Sequence, residues 1–63
     1  MNNELMLKLQ KALNAEEELY GLLVTMRQFD LEAGRTFTMP DLLERVAADM
    51  AALNAQIEAV SRA

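Results

Sequence analysis

An all-α fold is predicted for this chain: an antiparallel hairpin of two long helices that associates into a homo-oligomeric helical bundle, most simply a dimeric four-helix bundle. Three observations carry that expectation. Met39, Leu43, Val46, Met50, Leu53, Ile57 and Val60 follow one another at alternating spacings of four and three, the mark of a helix whose apolar seam lies along another helix. A broader pattern of the same period fills the first half of the chain. The stretch between them is short and contains Gly34 and Pro40, so it closes one helix and opens the next without room for another element.

The first helix is expected over about residues 3–33. Leu5, Leu9, Ala12, Glu16, Leu19, Leu23, Met26 and Asp30 alternate four and three, and Met6, Leu13 and Tyr20 form a parallel row on the adjoining edge. An apolar face of that width suits a bundle core more than a two-stranded seam. Gly21 lies on the far side, the main intrinsic weakness of this helix. In the turn, residues 34–38, Gly34 is placed to take the left-handed conformation that ends a helix. Thr38 is expected to cap the second helix, with Asp41 completing a capping box and Phe37 and Leu42 forming the hydrophobic staple. Pro40 falls in the first turn, where its missing N–H removes no intrahelical bond. The second helix then runs over about 39–62, and residues 1–63 form a single hairpin domain. Acid-first pairs four apart, Glu4 with Lys8, Asp41 with Arg45 and Glu58 with Arg62, suit helical surfaces. Antiparallel pairing of the seams places Met26 near Val46, Leu23 near Met50 and Leu19 near Leu53.

Size sets the next expectation. A chain of 63 residues hides only about 60% of the surface its unfolded form exposes, and such small cores rarely supply more than roughly 3–5 kcal/mol. With neither Cys nor His in the sequence, disulfides and the usual zinc sites are closed routes to added stability. Association with a second copy is what remains. The first helix is also the longer, so Leu5, Met6, Leu7 and Leu9 fall at or beyond the reach of the second helix, and exposed apolar surface of that kind marks association. The interface residues expected on these grounds are Leu5, Met6, Leu9, Leu13, Glu16 and Tyr20 of the first helix.

Ala48, Ala52, Ala55 and Ala59 add a candidate second interface, alternating four and three on the side of the second helix away from its seam. They serve either to let another helix approach closely or simply as good helix formers at the surface. Glu16 interrupts the first seam: it either fixes register from a core position or sits at a wet bundle edge. The run Glu16, Glu17 and Glu18 points in successive directions round a helix and forms no ligand cage, so no metal is expected. Met6, Met26, Met39 and Met50 are expected to fill the core.

Several functions are disfavoured. The chain has no thiol, no imidazole and no glycine-rich phosphate loop, and its one serine, Ser61, lies near the end; no acid, base and oxyanion donor converge, so neither an enzyme nor a cofactor site is expected. No apolar run approaches the ~18 residues of a membrane span, and the start of the chain lacks the pattern of a signal peptide, which makes a cytoplasmic location the default expectation. A net charge of −4 disfavours general attraction to nucleic acid.

The leading expectation is therefore a non-enzymatic protein–protein interaction module acting as a homo-oligomer: an adaptor, a chaperone-like subunit or an inhibitor of a larger protein. One alternative uses Lys8, Lys11 and Asn14, with Gln10 at their edge, as a patch doubled by symmetry for RNA; in outline such a hairpin is similar to the Rop-like dimeric four-helix bundles, and that resemblance implies RNA binding through one helix face. Glu4 and Glu18 share the side of these lysines and weaken their potential. Another alternative is a purely structural oligomer.

Overall fold

The computed structural model describes residues 3–62; residues 1, 2 and 63 of the expected domain lie outside the described residues. Two helices, α1 (Asn3–Glu32) and α2 (Pro40–Arg62), pack against each other as a hairpin. At 1.5 Å per residue, the 30 residues of α1 span about 45 Å and the 23 of α2 about 35 Å. The result is a rod of 51 × 14 × 12 Å.

Each end of the connection has its own chemistry. Gly34 adopts a φ of 73°, and its N–H donates to the carbonyl of Leu31 at 3.1 Å while the Arg35 N–H reaches back to the carbonyl of Asp30 at 2.7 Å. These two reverse bonds satisfy carbonyls that the helix end leaves without partners. Side chains reinforce the same junction: Arg35 Nε donates to Asp30 Oδ1 at 3.1 Å. An ion pair thus occupies the place where an apolar contact commonly accompanies this type of helix end.

The start of α2 corrects the expected cap by one residue. The Met39 carbonyl accepts the N–H of Leu43 at 3.1 Å, which makes Met39 the cap and Pro40 the first helical residue, where a fixed φ and an absent N–H are best tolerated. Thr38 then stands one residue outside the helix, too early for the expected capping box, and among the described residues its hydroxyl bonds no helical N–H. Asp41 remains in the first turn, where its charge favours the helix dipole.

Along α2, the seven seam residues from Met39 to Val60 are all buried or half-buried, with Val46 the most enclosed. On α1 the seam is not the expected one. Leu5, Ala12 and Met26 are exposed, whereas Met6, Leu9, Glu16, Tyr20 and Asp30 are half-buried and Leu13 and Leu23 are buried. The row facing α2 therefore runs Met6, Leu9, Leu13, Glu16, Tyr20, Leu23, one heptad position round from Leu5, Ala12, Leu19 and Met26. Bulk explains the choice: at the middle of the hairpin Leu13 offers a side chain that fills the seam, and Ala12 does not.

Ala12 and Glu16 share a groove with Asp49, Ala52, Leu53 and Gln56. Leu9 and Met6 are half-buried, so the end of α1 is partly covered, while Leu5 and Leu7 are exposed.

Candidate interaction surface

Only three apolar side chains among the described residues are buried, Leu13, Leu23 and Val46, while Leu5, Leu7, Leu22, Met26, Phe29, Leu31 and Leu42 are exposed. The total accessible surface of 4895 Å² can be set against the about 4,100 Å² that a compact monomer of this mass presents. The excess is about 800 Å² by the same scaling. Shape says the same: the radius of gyration is 14.9 Å, against about 11 Å for a compact chain of this length.

Four of the seven exposed apolar side chains, Leu5, Leu22, Met26 and Phe29, fall in one order. Leu5, Lys8, Ala12, Ala15, Leu19, Leu22, Met26 and Phe29 alternate three and four along α1, so they form a second seam about 100° round the helix from the one that meets α2. Lys8 is its one polar member. Leu19 is half-buried at its inner edge, and Leu5, Met26, Leu22 and Phe29 are 43, 44, 57 and 64% exposed. This row emerged only from the structure, because spacing alone assigns Leu5, Ala12, Leu19 and Met26 to the seam inside the hairpin. Leu22, Ala15 and Phe29 were detectable in the sequence as the companions that turn those four into a heptad.

The groove beside this row holds a buried polar atom. Glu16 Oε2 is buried and makes no hydrogen bond among the described residues. Both expected settings apply in part: the residue stands in the seam, half-buried, and also borders the open groove. Ala52 and Gln56 form the α2 bank of the groove, so the alanine stripe meets the α1 row at Ala52. Ala48, Ala52, Ala55 and Ala59 are all exposed.

Met6, Leu9, Leu13 and Tyr20 serve the hairpin's own seam, Leu13 being only 6% exposed. Met6, Met39 and Met50 are half-buried, and Met26 departs from the expected core filling by standing outside. Lys8, Lys11 and Asn14 are exposed on α1; Lys8 pairs with Glu4 at 3.4 Å and Gln10 donates to Asn14 at 3.2 Å. Arg62 pairs with Glu58 at 3.4 Å, whereas Asp41 and Arg45, both exposed, form no ion pair among the described residues. No group of carboxylates able to hold a metal ion occurs among the described residues, and no helix there is long and apolar enough to cross a membrane.

Comparison with known proteins found no matching family model, no matching curated protein and no matching solved structure.

Proposed function

We propose that this chain is a small non-enzymatic interaction module that works as a homo-oligomer, most simply a dimeric four-helix bundle, and presents a helical face to a protein partner as an adaptor, chaperone-like subunit or inhibitor. One observation carries the reading: among the described residues only three apolar side chains are buried, while Leu5, Leu22, Met26 and Phe29 stand exposed in one heptad row along α1, and ordered apolar surface of that kind marks association. Heptad spacing of these exposed side chains favours a helical partner.

Sedimentation equilibrium across a wide concentration range tests the first half of the reading, with a mass above 7.1 kDa expected and a monomer throughout counting against it. Affinity capture with the tagged chain tests the second half. An adaptor has surface variants that assemble normally yet lose the captured protein, and a purely structural oligomer has none. RNA binding is separable in the same samples, since phosphate contacts weaken steeply as salt rises.

A further inference from the structure

Among the surfaces of the hairpin, the second α1 seam has a specific occupant. We infer that it is the contact between two copies of this chain, with α1 of one copy lying antiparallel against α1 of the other about a two-fold axis near Leu19 and Leu22. The inference rests on the self-association proposed above and adds to it the face, the orientation and the register.

Size complementarity chooses the orientation. Side by side in parallel, the two rows set Ala12 and Ala15 against their own copies and leave gaps, and they bring Lys8 against Lys8. Antiparallel packing instead sets small residues against large ones, as a filled interface requires. Ala12 then faces Phe29 of the second copy, Ala15 faces Met26, and Leu19 faces Leu22. A self-complementary patch of this kind closes as a two-fold dimer without leaving a surface for open-ended growth.

Charge chooses the register. Glu4, Lys11, Glu18, Thr25 and Glu32 border the row on its outer side, each one residue before or three after a row member. In the register just given, Lys11 of each copy lies opposite Glu32 of the other, and Glu18 lies opposite Thr25. Sliding the copies one heptad further together puts Glu18 against its own copy and Glu4 against Glu32, both repulsive. It also pushes Lys8 into the apolar contact, facing Met26. The favoured register leaves Lys8 beyond the apolar stretch, near the carbonyl end of the second copy's α1, whose last turn has no basic residue of its own and accepts a cation well. On the α2 side, Asp49 and Gln56 beside the groove supply the polar rim such interfaces show.

The test compares variants of the full chain by sedimentation equilibrium, with helicity followed by circular dichroism. Wild type is expected to be a dimer. Leu22→Glu, at a side chain that takes no part in the hairpin's own seam, is expected to weaken dimerisation on the order of a hundredfold by placing an unpaired charge in the contact. Asn54→Glu, the same charge on an exposed α2 position away from the row, is expected to change it less than about threefold. Should Leu22→Glu lose helicity, the exposed pair decides: Lys11→Glu and Glu32→Lys each weaken dimerisation by about three- to tenfold, and the double variant recovers most of the loss. A dimer indifferent to Leu22→Glu, or disrupted instead by Ala55→Glu on the alanine stripe, overturns this inference while leaving self-association standing. Charge reversals that fail to compensate overturn the antiparallel register. A wild type that stays monomeric at high concentration leaves the row to a different partner and overturns both the inference and the self-association beneath it.

Discussion

Glu16→Leu is expected to stabilise this protein. The wild-type carboxylate holds Oε2 out of solvent without a hydrogen-bond partner, and an unsatisfied buried polar atom costs about 1–3 kcal/mol. Leucine removes that penalty and adds apolar burial at a half-buried seam position, about half of the 1.5–3 kcal/mol that full burial of such a side chain contributes. Helix propensity is nearly unchanged. The gain is therefore about 2–4 kcal/mol, large beside the roughly 3–9 kcal/mol total expected of a domain of this size. Thermal unfolding followed by circular dichroism should show it as a rise on the order of 10–20 °C. Wild type and variant must be compared at equal protein concentration, because association shifts the midpoint by mass action. Glu16→Gln separates the two contributions: it keeps a buried polar end without a partner and should stay within about 1 kcal/mol of wild type. Glu17→Leu, exposed and one residue away, should change stability by less than about 0.5 kcal/mol. If Glu16→Leu melts at or below the wild-type temperature, the carboxylate has a partner that compensates its burial, and the cost assigned to Oε2 is refuted.

Leu23→Ala, at a residue 2% exposed, should cost about 2–5 kcal/mol and leave the chain largely unfolded in denaturant titrations; a loss below 1 kcal/mol would deny the seam its role. The two glycines should respond in opposite directions. Gly34→Ala forces a side chain into φ 73° and should destabilise by about 1–2 kcal/mol, whereas Gly21→Ala meets nothing within 4 Å and should stabilise by about 0.5–1 kcal/mol, both read from urea midpoints. Arg35→Ala removes the pair with Asp30; since the guanidinium is mostly exposed, the loss should be under about 1 kcal/mol and should shrink further in high salt.

The second helix was legible in the sequence and the first only in outline, for a physical reason. On α2 one apolar row stands among alanines and charges, so its spacing admits a single seam, and every member is covered. On α1 two rows share Leu9, Glu16 and Leu23, and spacing treats Leu5–Ala12–Leu19–Met26 and Met6–Leu13–Tyr20 as equal claimants for the remainder. Packing rather than periodicity chooses which one faces α2. Side-chain volume at the centre, Leu13 against Ala12 and Tyr20 against Leu19, was the signal that could have decided it. The cap was misplaced by a similar competition: Thr38 and Asp41 spell a capping box, but Pro40 is best accommodated at the first helical residue and carries the helix start with it.

The two rows on α1 also explain why the hairpin is so sparsely packed. A helix with one apolar stripe is satisfied by one neighbour, and α2, with its single seam and its alanines outside, is such a helix. A helix with two stripes about 100° apart needs neighbours on both, and α2 can cover only one of them. Within a single copy, one of the two α1 stripes therefore stays exposed. Packing the uncovered stripes of two copies against each other places both α1 helices at the centre and both α2 helices outside, where their alanines and charges belong. In the proposed dimer, the sparse packing of the single hairpin and the choice of contact would have the same cause, the apolar row that runs through Leu19, Leu22, Met26 and Phe29.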